Sequence, residues 1–239
     1  MFEQLGKLLE HLGEREIATW NLGGLKIQVD PKTLVMSWLV MAIVIGLALF
    51  LRRAFRQPIE DKPNRIQALL DVIMGLFESQ FAGSFSSSSF GARMFPFIST
   101  LFLYVLVSNW LSVLPGLEAP TADPNVTLGL ALLVLVMSHV YSIRAKGLRR
   151  YAKEFIEPSP IMLPITIMSE VVARPLSHAF RLFGNMFAEM VLVTVVMAKL
   201  APLVLPMALR GIFGLGNGFI QAFVFSMLAV AYINLAVEH

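Results

Sequence analysis

The 239-residue chain contains no cysteine, which excludes disulfides, thiol nucleophiles and thiolate metal sites, and with them a large part of enzyme chemistry. Charge is also scarce. Only 15% of the residues are Asp, Glu, Lys or Arg against 56% apolar, a balance that no water-soluble core of this length could hide. There is no His-Glu-x-x-His metal pair and no Gly-x-Ser-Gly nucleophile turn. Ser177 and His178 are neighbours, and on a helix they would point about 100° apart. The first residues lack the apolar centre of a removable signal peptide, because Glu3, Lys7, Glu10, Glu14, Arg15 and Glu16 interrupt them. The small basic excess falls in short loops, so it reads as an orientation signal, and neither a nucleic acid, a cofactor nor a metal ion is expected.

What the chain does have is long apolar runs. Residues 34–51, 95–114 and 126–143 are each long enough to cross a bilayer. Residues 161–200 and 203–237 are longer than a crossing needs: a continuous helix over 161–200 would extend ~60 Å, twice the hydrocarbon thickness, so it must be tilted or broken. Pro164, Pro175, Gly184 and Pro202 mark candidate breaks. Between the first two spans, over residues 64–80, Ile66, Leu69, Leu70, Ile73, Met74 and Phe77 recur at helical spacing among Arg65, Gln67, Asp71 and Glu78, the pattern of an amphipathic helix on a membrane surface or packed on its own protein.

Basic residues cluster at Arg52, Arg53, Arg56 and Lys62, and again at Arg144, Lys146, Arg149, Arg150 and Lys153, whereas the 115–125 loop carries Glu118 and Asp123 and no Lys or Arg. The two basic loops are expected on the cytoplasmic side, which puts residues 1–33 and the N-terminus outside and the C-terminus inside. Lys199 and Arg210, near the loop joining the two long segments, fit this orientation less well. The expected architecture is one all-α membrane domain over residues 1–239. It has about five membrane segments and an interfacial helix, and the last two segments form a long, strongly tilted helical hairpin.

The fourth apolar segment carries Glu170, Arg174, His178, Arg181, Asn185 and Glu189 at spacings of 4, 4, 3, 4 and 4, one face of a helix, with Ser177 bordering it. Each ionisable group at the bilayer centre costs on the order of 2.5–3.5 kcal/mol, so such a stripe needs water or a partner. A ladder of internal ion pairs, Glu170 with Arg174 and Glu189 with Arg181, is one solution. An ion path is the other. Arg181 keeps its charge at any physiological pH and so acts as a fixed positive point, not as a proton relay. His178 is either a hydrogen-bond partner or a proton carrier. The last segment offers Asn217 and Gln221, four apart, with Tyr232 further along; amides join membrane helices as readily as they line paths. Gly211, Gly214, Gly216 and Gly218 leave that helix thin.

The run from Arg174 to Met186, RPLSHAFRLFGNM, resembles the signature of the F-type ATP synthase a subunit in its bacterial and chloroplast form. Supporting stretches are Asn109 to Gly116 (NWLSVLPG), Pro120 to Leu128 (PTADPNVTL) and Gln221 to Phe225 (QAFVF), in the family's order from about Pro96 onward. The resemblance implies an ion-translocating stator against a rotating ring of c subunits, held by peripheral-stalk b subunits among the other ATP synthase subunits, in a bacterial plasma membrane. It aligns Arg181 with the family's essential arginine, and Asn185 and Gln221 with the polar residues flanking it. Asn109, Asp123 and Asn125 become candidates for the outer mouth. Two departures stand out. Nine positions after the arginine, where relatives often carry an acid or histidine, stands Met190, with Glu189 one residue earlier; seven positions before the last glutamine, where some carry histidine, stands Gly214. The inlet is therefore expected to be rearranged, with His178 as a substitute titratable group. A transporter or channel acting alone is the competing function.

Overall fold

The computed structural model describes residues 18–22, 25–54, 65–85, 88–114, 116–156, 159, 161, 163–199 and 211–238. The charged residues before position 18, together with Arg56, Lys62, Pro202, Arg210 and the start of the 203–237 segment, lie outside them. A short antiparallel hairpin comes first, β1 (Ala18–Leu22) on β2 (Leu25–Val29), with Ala18 opposite Val29 and Leu22 opposite Leu25. Among the described residues the regular elements after it are helical: α1 (Pro31–Ala54), α2 (Arg65–Phe77), α3 (Ser88–Leu111), α4 (Pro124–Lys146), α5 (Leu148–Glu154), α6 (Leu163–Ile167), α7 (Arg174–Lys199) and α8 (Gly218–Glu238). Three π-turns interrupt the helices, at Glu78–Ala82, Met168–Ala173 and Phe213–Asn217.

Four of these stretches are long and apolar enough to cross a membrane, Pro31–Arg53, Ser89–Leu111, Pro124–Lys146 and Gly214–Val237. The fourth expected segment contains α7, which has the length at 26 residues but carries the polar stripe. Two helices start alike. Asp30 accepts the Lys32 N–H at 2.9 Å ahead of Pro31, and Asp123 accepts the Asn125 N–H at 2.8 Å ahead of Pro124. An aspartate cap followed by proline at the first helical position satisfies the free N–H groups and presets the backbone. The break in the 161–200 segment falls at the π-turn just before Pro175, where the wide turn absorbs the proline's missing N–H. Gly184, a candidate break, lies inside an unbroken α7.

α8 is the centre of the bundle, packed on α3 along one side and on α4 along another, while α7 packs mainly on α4. Its Ala222, Phe225, Ala229, Val230 and Ile233 meet Ile98, Phe102 and Val105 of α3, Val134 of α4 and Leu182 of α7 in one buried cluster. Lipid tails are as apolar as these side chains, so dispersion contacts between fitted surfaces hold the helices together. The amphipathic α2 is tied in at its end, where Phe77 meets Phe102 edge to face at 4.8 Å, while Val72 and Leu76 stay exposed. α1 lies to the side: among its described residues only Val40 and Val44 are buried, against Leu111 and its neighbours.

Candidate functional site

α7 runs between two polar ends of the bundle. At one end lie the tips of α1, α3, α4 and the π-turn that opens α8. There Lys32 pairs with the exposed Glu118, and Thr33 donates to Asp123 at 3.4 Å. Asn109, fully buried, donates to the Gly218 carbonyl at 3.3 Å and accepts from Thr121 at 2.7 Å. Of the three residues expected at the outer mouth, Asn109 and Asp123 are thus buried and bonded inside the protein, and Asn125 is exposed. Glu189 reaches this end from α7: its Oε1 lies 3.4 Å from where a β-carbon on Gly214 would stand.

The other end carries the basic residues. A cavity of about 250 Å³ is lined there by His139, Ser142, Tyr151, Glu154, Phe155, Thr166, Glu170 and Arg174, with Leu235 and Ala236 of α8. Its ions are paired, Lys146 with Glu154 at 2.8 Å and Arg174 with Glu170, and Arg174 also lies 5.7 Å over the Tyr232 ring. The Tyr151 hydroxyl meets His139 Nδ1 at 3.0 Å. Burial, and then Glu154 and Glu170, push the Tyr151 phenol above its ordinary pKa, so it stays protonated. A second cavity of about 30 Å³ shares His139, Glu170, Arg174 and Ala236 and extends inward to His178, with room for a water molecule or two. The His178 ring is buried edge to face on Phe225 at 3.8 Å, and neither of its nitrogens finds a partner of hydrogen-bond geometry among the described residues.

Between the two ends the stripe divides. His178 faces inward, whereas Arg181, three residues on and so about 60° around the axis, is exposed. Among the described residues Arg181 makes no ion pair or hydrogen bond, and Ser177, Phe180, Gly184, Phe187 and Ala188 are exposed around it. Asn185 crosses to α8, where its amide donates to Gln221. Asn217 ends the π-turn and is half-buried. At ~1.5 Å per residue, Arg181 lies ~10 Å along the axis from Arg174 and ~12 Å from Glu189. The ladder reading therefore holds only at Glu170 and Arg174. Trp110, Thr121, His139, Tyr151 and Thr166 are additions from the structure; His139 had a sequence signal, a lone ionisable residue inside an apolar span.

A helical bundle with four helices long and apolar enough to cross a bilayer, and with one further helix presenting an arginine that has no ion pair among the described residues, is an integral membrane protein. Comparison with known proteins gives the family. Residues 34–234 match the family model described as ATP synthase A chain. The chain is 38% identical over 215 residues to "ATP synthase subunit a" of Acidothermus cellulolyticus, covering 85% of this chain and 76% of that one. It is 34% identical over 226 residues to "ATP synthase subunit a" of Desulforamulus reducens, covering 92% and 84%. It is 36% identical over 227 residues to "ATP synthase subunit a 1" of Chlorobaculum parvum, covering 95% and 96%. The chain belongs to the ATP synthase A chain family, whose members are all-helical subunits of the enzyme's membrane sector.

Proposed function

We propose that this chain is the ion-translocating stator of the ATP synthase membrane sector, working with the other subunits of that enzyme and without catalytic chemistry of its own. Two half channels meet at Arg181, and a ring of c subunits turns past the exposed face of α7, with b subunits holding the stator still. The observation that carries this reading is the exposed Arg181, lacking an ion pair among the described residues. A fixed guanidinium on a helix surface attracts a carboxylate brought by a neighbour and repels cations that would leak straight through. Small side chains at Ser177, Gly184 and Ala188 favour close approach by that neighbour.

The acidic end of the bundle is read as the outer inlet and the basic end as the cytoplasmic outlet, with the N-terminus outside, the C-terminus inside and the membrane a bacterial plasma membrane. An ion enters past Glu189, which lies beside Gly214, and is handed on by Asn185 and Gln221 to a ring carboxylate. Neutralised, that carboxylate can travel through lipid. After nearly a full turn it meets the outlet side, where Arg181 favours its ionised form and the released ion leaves through the cavity bounded by His178, His139, Glu170 and Arg174. A proton crossing ~100 mV yields ~2.3 kcal/mol, so the ring must pool several ions for each ATP.

Arg181→Ala tests the reading in membranes holding the whole complex. ATP synthesis and ATP-driven ion pumping are expected to vanish while the amount of assembled complex is unchanged. Coupled synthesis that survives the substitution overturns the proposal, and ion flux through the purified chain alone would favour a free-standing transporter.

A further inference from the structure

The last membrane helix opens with the π-turn Phe213–Asn217, after which the Gly218 N–H reaches the carbonyls of both Gly214 and Leu215. A π-turn is a widened turn that disturbs the regular hydrogen-bond ladder, and it persists only where something else holds it. Here the end of α3 does so. Trp110 Nε1 donates to the Leu215 carbonyl at 3.2 Å, and Asn109 Nδ2 donates to the Gly218 carbonyl at 3.3 Å. The Asn109 amide cannot swing, because its oxygen accepts from the buried Thr121 hydroxyl. The fit is close on the glycine side: a β-carbon on Gly218 would stand 3.0 Å from Asn109 Cβ and 3.3 Å from Trp110 Cδ1, and one on Gly214 would stand 2.5 Å from Val113 Cγ2.

The turn lies between two contacts of the ion path. Gly214, near its start, faces Glu189, and Gln221, beyond its end, meets Asn185. Were the same residues to wind as a regular α-helix, the part before the turn would rotate against the part after it by about 100°, and both contacts could not survive. We propose that Asn109 and Trp110 are positioning residues: their grip on the π-turn fixes the rotation of α8 at which Glu189 and Asn185 both find their places. The inference rests on reading Glu189, Asn185 and Gln221 as path residues.

The cysteine-free chain suits a disulfide scan. Cysteine at 185 is paired in turn with cysteine at 220, 221 or 222, and the yield of each pair is measured in membranes containing the complex, with and without Asn109→Leu and Trp110→Phe. Without those changes the yield should peak at 221. With them it should fall at 221 and rise at a neighbour, and, in chains bearing them but not the scan cysteines, ATP-driven pumping should drop at least roughly tenfold, the scale of misplaced reacting groups. If all three pairs fall together in both variants, the two residues only support folding and the inference is overturned. Trp110→Phe alone keeps the ring at an exposed position and removes only the N–H, so it serves if Asn109→Leu fails to assemble. A peak that stays at 221 in both variants also overturns the inference, whatever happens to pumping. A displaced peak with full pumping leaves the grip standing and removes Gln221 from the path.

Discussion

The Glu189 carboxylate rests against Gly214, so that a side chain on the glycine would meet both the carboxylate and Val113. The two departures from the family pattern thereby meet in one place: Val113 fills the room that the bare backbone of Gly214 leaves, and the acid from α7 lies alongside it. Neither residue can be judged alone.

Gly214→Ala is expected to push Val113 aside and to crowd the contact with Glu189, since its β-carbon would stand 2.5 Å from Val113 Cγ2. Overpacking of this kind costs about 1–3 kcal/mol. The thermal midpoint of the assembled complex and its pumping rate should both fall, and Val113→Ala in the same chain should restore them. No recovery would show that the strain lies elsewhere.

Glu189→Gln removes the charge and keeps the shape, and ion flux is expected to drop while assembly is unchanged. Adding Met190→Glu should not restore it, because position 190 is turned about 100° from 189 around the helix. Flux measured in inverted vesicles distinguishes the cases; full flux in Glu189→Gln would exclude this carboxylate as the inlet group.

The Asn185 and Gln221 amides meet across the helix interface, with Gln221 buried. Asn185→Ala and Gln221→Ala should each weaken pumping, and the double variant should lose less than the two losses combined. Residues sharing a hydrogen bond couple by roughly 0.5–3 kcal/mol in such cycles. Strict additivity would mean that the two amides act separately.

His178→Leu keeps an apolar volume against Phe225 and Tyr232 while removing the His178 ring nitrogens from the smaller cavity. Lower ion flux with an altered pH profile is expected. Undiminished flux at every pH would leave His178 a packing residue.

The membrane spans were legible because hydropathy over some twenty residues reports lipid burial directly, whereas their starts were not: α1 begins at Pro31, ahead of the apolar run, because Asp30 caps it. The hairpin had a local signal, Gly23 and Gly24 between two short runs, which a search for long apolar stretches passes over. The polar stripe was legible as a set of angles. Periodicity placed Arg181 and His178 near each other but could not say where the packing boundary falls, and it falls between them. The π-turns left no pattern in the sequence, because the one at Phe213–Asn217 depends on Asn109 and Trp110, a hundred residues earlier.

The exposed flank of α7 also bears on biogenesis. A copy synthesised in surplus would hold the Arg181 guanidinium against acyl tails, a penalty of about 2.5 kcal/mol that no ion pair among the described residues offsets. Insertion should therefore be completed by a companion carrying an acid, and orphaned copies should be short-lived targets of membrane surveillance proteases.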